Sequence, residues 1–197
     1  MSFPRKFSGR IGNNMMLFDM GLTVGLGTTE DEIQKKIAAA DDLFDLVLIA
    51  EKMDESLILM KELLCWKYED VVFFPKNARK SSVKPKLSAD AVEKLRLLNR
   101  GDQLLYDHFV ARHNKEVARY GVEKMAQQVT ILNSVKDKLF KDCKVKEKTF
   151  SQSSVSIFKE KNAKVGAYVT EDQSNTTCLL LSLPEYSVLD MFRKRRL

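Results

Sequence analysis

A chain of 197 residues can bury roughly 70% of the surface its unfolded form exposes. Hydrophobic residues make up 44% and charged residues 30%, which is globular composition and excludes a disordered or fibrous chain. The net charge of +6, with pI near 9.1, suits phosphates, sulfates, acidic glycans or nucleic acids, or is simply a mildly basic surface.

Residues 1–14 are polar and read as irregular, basic but without the apolar core of a signal peptide. Met15–Leu22 is a short apolar run ending near Gly21. Thr29-Glu30-Asp31-Glu32 is a capping box that opens a helix with Ile33, Ile37 and Ala40 on its apolar stripe. Leu43–Ala50 is continuously apolar over Leu46–Ala50 and reads as a strand buried on both faces of a parallel sheet. Asp54 is placed to cap the next helix, whose core face is Leu57, Ile58 and the Met60–Leu64 stretch. Val71–Phe74 reads as a second strand stopped by Pro75, completing a βαβ unit.

Lys76–Lys86 is a basic loop, and Ser88 caps the helix that follows. Gly101 interrupts that helix and Asp102 restarts it, with Leu104, Leu105, Phe109 and Val110 at helical spacing. A further helical pattern runs from about His113 to Leu139, with Val117, Val122, Met125, Val129, Leu132 and Val135 as core candidates and Gly121 as a kink. Residues from about 141 to 162 are Lys/Ser-rich and read as an irregular surface loop. Val165–Val169 is either a short strand or a ligand-binding turn. Pro184 opens a last helix that ends in Arg193-Lys194-Arg195-Arg196. With no internal repeat and no clear boundary, the expected organisation is one domain over residues 1–197, an α/β fold with a short parallel sheet and a helix-rich C-terminal half.

No run reaches the roughly 18 apolar residues of a membrane span. Three cysteines, Cys65, Cys143 and Cys178, fit no zinc spacing. Cys65 reads as a buried thiol after Leu63 and Leu64. Cys143 and Cys178 can pair in an oxidising compartment, where the sequon Asn175-Thr176-Thr177 also acquires meaning. HExxH, GxSxG, Walker and Rossmann motifs are absent, and no metal is expected.

The candidate chemistry sits at two strand ends. Glu51, Asp54 and Glu55 offer a carboxylate base at the carboxyl edge of the sheet, or else they cap a helix and complement its dipole. Asn77, Arg79 and Lys80 leave the second strand at the same edge and suit an anion, or are a solvated loop. His108 is expected as a partly exposed helical residue that is either a base or merely structural. The C-terminal basic run lacks interleaved aromatics, so nucleic acid is not an expected partner.

These residues carry a resemblance. Asp45-Leu-Val-Leu-Ile-Ala-Glu51, Met53-Asp-Glu-Ser-Leu57, Leu63-Leu-Cys-Trp66, Glu69-Asp-Val71 and Asn77-Ala-Arg79 resemble the galactose 3-O-sulfotransferases, the group containing galactosylceramide sulfotransferase. Leu17-Phe-Asp-Met-Gly21, Leu105-Tyr-Asp-His-Phe109, Lys164-Val-Gly-Ala-Tyr168, Cys178 and Leu183-Pro-Glu185 extend the likeness over nearly the whole chain.

The resemblance implies a P-loop-type sulfotransferase fold and a lumenal, membrane-anchored Golgi enzyme. It implies transfer of a sulfuryl group from 3'-phosphoadenosine 5'-phosphosulfate to the 3-hydroxyl of a galactose on glycolipids or glycoproteins. Glu51 and His108 become catalytic candidates. Asp54, Glu55, Asn77 and Arg79 become acceptor-binding candidates, and Lys164, Gly166 and Tyr168 candidates for a loop closing over the nucleotide. In the family the anchor and both phosphate-holding elements precede the Leu-Phe-Asp segment, and here about 16 residues do. The expectation is the C-terminal portion of such a domain, with the anchor and nucleotide-binding part missing from this chain. The alternative is a truncated, non-catalytic relative that binds glycan.

Overall fold

A computed structural model describes residues 13–25, 27–75, 78–79, 86–148, 165–170, 174–183 and 185–194. The chain forms two compact units, Met1–Leu63 with Lys86–Ala126, and Leu64–Pro85 with Gln127–Leu197.

The first unit is helical among its described residues. It contains α1 (Met15–Asp19), α2 (Glu30–Leu43), a 3-10 turn (Ala50–Lys52), α3 (Met53–Leu63), α5 (Ala89–Leu98) and α6 (Arg100–Tyr120). The local signals hold where they are purely local. Thr29 Oγ1 accepts from Glu32 N at 3.3 Å, and Glu32 Oε2 accepts from Thr29 N at 2.8 Å, so the capping box starts α2. Ser88 Oγ accepts from Ala91 N at 3.2 Å and starts α5.

The long helix α6 is the spine against which α1, α2, α3 and α5 pack. Leu105 and Phe109 of α6 meet Leu17 of α1, Ile33, Ile37 and Ala40 of α2, and Ile49 in one buried cluster.

The junction of α1 and α6 is capped from both sides. Asp102 Oδ2 and Oδ1 accept from Met16 N and Leu17 N, each at 3.0 Å, which satisfies the free end of α1. In return Asn14 Oδ1 accepts from Asp102 N at 3.0 Å, near the start of α6. Gly101 therefore does not interrupt a helix. Asn99 forms the break, and Gly101 lies in the first turn of α6, where a Cβ would stand 2.7 Å from Leu17 Cδ1. Glycine is required there by close approach.

The expected βαβ unit is not formed. Leu43 ends α2, and residues 44–49 run extended without pairing to any described strand. The run is not buried on both faces either, because Ile49 is buried while Leu48 is 39% exposed. An apolar run becomes a strand only when a neighbour takes up its backbone groups, and no described segment does so here. Val71–Phe74 also differs, because α4 (Tyr68–Val71) occupies its start and the rest is unpaired extended chain.

Asp54 lies within α3 and does not cap it. Ser56, wholly buried, accepts from Ile49 N at 3.0 Å through Oγ and fastens the turn before α3 instead. Gly121, with φ +98°, separates α6 from α7 (Val122–Asp142) outright instead of kinking one helix.

The second unit contains α4, most of α7, β1 (Ala78–Arg79), β2 (Lys146–Lys148), β3 (Val165–Val169), α8 (Thr176–Ser182) and α9 (Glu185–Lys194). Its sheet has the order β1-β3-β2 and is antiparallel throughout, in contrast to the expected parallel sheet. Lys146–Lys148 is strand where a loop was expected. Residues 149–162 lie outside the described residues. Of the two readings of Val165–Val169, the strand holds.

Phe74, Cys143 and Cys178 form a small buried cluster in this unit, with Leu139, Phe140, Val145 and Leu181 packed on it. Cys143 and Cys178 are disulfide-bonded with Cα atoms 5.4 Å apart. Cys65 is exposed, not buried, because it sits in a left-handed turn (φ 54°) just past the end of α3.

Among the described residues no helix is long and apolar enough to cross a membrane, and no group of three His, Cys, Asp or Glu could hold a metal ion.

Candidate functional site

Two polar edges flank the apolar stripe of α6, because successive residues on a helix turn about 100° and residues three, four and seven apart share a face. One edge carries His108 and Arg112, and the other carries Tyr106 and His113.

The His108 edge is a clamp. Arg112 Nη1 donates to Asp41 Oδ1 at 2.7 Å and to the Asp41 carbonyl at 3.0 Å, and Nη2 donates to the Asp45 carbonyl at 2.9 Å. His108 Nε2 lies 3.1 Å from Asp41 Oδ2. A cation thus serves the last carbonyls of α2, where the helix dipole favours it. Burial pushes the Asp41 carboxyl up, but the hydrogen bonds from Arg112 and His108 and their charges outweigh it, and its pKa is lowered. His108 is partly exposed, as expected. It faces Asp41, however, and the structure does not bring it to Glu51.

The other edge assembles the acidic residues. Glu51 lies in the 3-10 turn, and Asp54 and Glu55 lie in the first turn of α3. Burial raises the Tyr106 pKa, and the charge of Glu51 and a hydrogen bond to it add to the effect. Lys52 Nζ stands 3.6 Å from Glu55 Oε2, and His113 Nδ1 stands 3.9 Å from the same oxygen. His113 is 2% exposed, and neither of its ring nitrogens nor Glu55 Oε2 has a hydrogen-bond partner among the described residues. Buried polar atoms are nearly always paired, so this trio stands out. Glu51 therefore meets Tyr106, and Glu55 meets His113.

His113 is the residue that the sequence reading passed over. Its signal was its place one turn after Phe109 on the core stripe, where an imidazole is unexpected.

Burial lowers the His113 pKa, with Lys52 in the same sense and Glu55 opposing. The unfolded chain then binds a proton near pH 6.5 that the folded chain refuses. Stability is fully present above that pH and is lost as the pH falls towards the lower folded value. We expect urea midpoints of this unit to decline as the pH drops below about 6.5. That part of the slope should vanish in His113→Gln. An unchanged slope in the variant would exclude His113 as its source.

The remaining candidates belong to the second unit. Arg79 lies on β1 opposite Val165, and Gly166 pairs with Ala78. Tyr168 pairs with Glu147 of β2. The anion-binding and nucleotide-binding candidates therefore come from adjacent strands, although Asn77 and Lys164 lie outside the described residues. Gly166 and Tyr168 stand inside a strand and not in a loop. At these two positions the backbone is taken up by strand pairing and not by a phosphate-holding loop.

An open groove of about 380 Å³ lies along α5 and α6, lined in part by Leu87, Leu95, Arg96, Gln103 and Tyr106.

Comparison with known proteins gives the family. A model of the galactose-3-O-sulfotransferase family matches residues 4–162. Galactosylceramide sulfotransferase of Homo sapiens is 36% identical over 140 residues, covering 71% of this chain and 33% of the relative. Galactose-3-O-sulfotransferase 3 of Mus musculus is 30% identical over 143 residues, again 71% of this chain and 33% of the relative. Galactose-3-O-sulfotransferase 4 of Bos taurus is 28% identical over 198 residues, covering 91% of this chain and 40% of the relative. The chain thus spans about a third of the length of the first of these relatives. No solved structure matches. The match over residues 4–162 takes in the acidic edge of α3, the α6 spine and its buried histidine, and it places the chain in the galactose-3-O-sulfotransferase family.

Proposed function

We propose that this chain supplies the acceptor side of a galactose 3-O-sulfotransferase. The reaction would move a sulfuryl group from 3'-phosphoadenosine 5'-phosphosulfate to the 3-hydroxyl of a galactose on a glycolipid or glycoprotein, with the galactosylceramide type favoured by the relatives' names. The observation that carries the reading is the family match over residues 4–162, which contains the whole Glu51–Glu55 edge. Both compact units are read as the C-terminal portion of one P-loop-type sulfotransferase domain, in which the extended Leu46–Ile49 segment would be a strand of the parallel sheet. A lumenal Golgi location belongs to the same reading and is supported by the Cys143–Cys178 bridge, since such bonds persist in oxidising compartments.

The nucleotide supplies the activated sulfuryl group. The acidic edge of the first unit offers its chemistry to the acceptor. A galactose hydroxyl must lose its proton as it attacks, and Glu55 and Glu51 are the carboxylates available to take it. Lys52 and His113 both approach Oε2 of Glu55, which leaves Oε1 for an acceptor. Asp54 would add a polar contact beside them, and Tyr106 offers an aromatic face for a sugar ring. Within the second unit, Asn77 and Arg79 would bind an anionic group, and Lys164, Gly166 and Tyr168 would meet the nucleotide. His108, paired with Asp41, is the weaker catalytic candidate.

A second reading keeps the acidic edge as a galactoside site alone. On that reading the chain binds galactosides without transferring sulfate. The full natural gene product that contains this chain is therefore purified and incubated with radiolabelled phosphosulfate donor and galactosylceramide in mixed micelles. A labelled sulfolipid is the expected product. A thermal shift with the galactoside but no labelled product selects the binding reading. Neither product nor shift would overturn both.

A further inference from the structure

We infer that Asn175 is a site of N-linked glycosylation, placed at the free end of α8 beside the disulfide. It lies beyond residues 4–162 matched by the family model. Three independent features meet at this position.

The first is chemical. Asn175-Thr176-Thr177 is an acceptor sequon with threonine at its third position and no proline at its second. The second is geometric. Ser174, Asn175, Thr176 and Thr177 are all exposed, so the acceptor side chain is open to solvent. Asn175 is also the N-cap of α8, and its Oδ1 accepts from Cys178 N at 3.1 Å. Glycosylation modifies Nδ2 and leaves Oδ1 as an acceptor. The cap and the glycan are therefore compatible on one side chain.

The third feature is the compartment. Cys178, three residues on, is bonded to Cys143, and such a bridge marks the oxidising lumen in which oligosaccharides are transferred. The donor is a lipid-linked pyrophosphate oligosaccharide. Nδ2 forms a bond to the anomeric carbon of the first sugar and loses a proton, and the sugar–pyrophosphate bond breaks with the lipid pyrophosphate leaving.

The test uses the protein isolated from eukaryotic cells that express its full natural gene product. A peptide N-glycosidase removes an N-glycan and converts its asparagine to aspartate, which the mass of the tryptic peptide reports. We expect aspartate at position 175 after this treatment. The change should be lost in Thr177→Ala and kept in Thr177→Ser. Thr177→Ala retains the Asn175 cap, so a non-reducing gel checks that its disulfide still closes. An unmodified Asn175 in protein whose Cys143–Cys178 bridge is closed would overturn the inference. An unmodified Asn175 with an open bridge would overturn it together with the lumenal reading. Modification that survives Thr177→Ala would exclude the sequon as its cause.

Discussion

The double variant C143A/C178A should lose about 3–4 kcal/mol in the second unit. The bridged residues are 35 apart in sequence, and closing a loop of that length in the unfolded chain accounts for roughly this much on the chain-entropy estimate. The bridge joins one cluster of a unit that also buries Val71, Val72, Leu132, Val169 and Leu183. That cluster is Phe74 and the two cysteines, with Leu139, Phe140, Val145 and Leu181 around them. Phe74 meets Phe140 edge-on at 5.1 Å, and β1 contributes two residues to the sheet. A seven-residue helix such as α8 does not persist on its own in water, so the bridge pins it to the end of α7. Thr170 strengthens the same place by donating to the Cys143 carbonyl at 2.9 Å.

At about 4–8 °C per kcal/mol for a unit of this size, the second unit's melting temperature should fall by roughly 15–30 °C. Adding a reductant to the unaltered protein should reproduce the fall, and Cys65→Ser should not, because Cys65 is free and exposed. A melting curve that ignores both reductant and C143A/C178A would refute the staple.

Side by side, α2 and the Leu43–Ala50 run show which part of the fold was legible. The α2 capping box, and the burial of Ile33, Ile37 and Ala40, depend on residues within a few positions of one another, so the sequence alone announces them. The Leu46–Ala50 run is as apolar as a buried strand, yet strand formation is decided by a distant neighbour that composition does not reveal. Asp54 offered the right side chain for a cap, but Ser56 wins because it is wholly buried against the Ile49 backbone. Gly101 is the same lesson, since a glycine in sequence says that freedom or space is needed without saying which.

At the site, Glu51 and Glu55 were legible from their place at a helix start. His113 was not, because its importance lies in what it is buried against, and only the packing of α3 on α6 brings Glu55 there. His108, the more visible histidine, is taken up by Asp41 at the end of α2.

The junction of α1 with α6 provides the second large effect. Leu17 is wholly buried at the centre of the first unit's core, so Leu17→Ala should cost about 2–5 kcal/mol through lost burial and the cavity left behind. Gly101→Ala should be destabilising too, although alanine is the better helix former by roughly 1 kcal/mol. A methyl at position 101 would stand 2.7 Å from Leu17 Cδ1 and 3.0 Å from Asn14 Oδ1. Neither neighbour is free to retreat. Leu17 is packed on every side, and Asn14 is tied by its contacts to Asp102, Asn99 and Leu98. Overpacking of this kind costs about 1–3 kcal/mol, which leaves a net loss near 1 kcal/mol once the helix gain is subtracted.

The two changes should not add. Leu17→Ala removes the methyl that the new Cβ would strike and opens the space it would fill. The double variant should therefore be more stable than the sum of the single losses by about 1 kcal/mol or more, within the usual range for touching residues. Urea denaturation of the four proteins at one pH closes the cycle. Strict additivity would mean that α1 does not rest on Gly101, and that the reciprocal Asn14–Asp102 caps do not hold α1 in place.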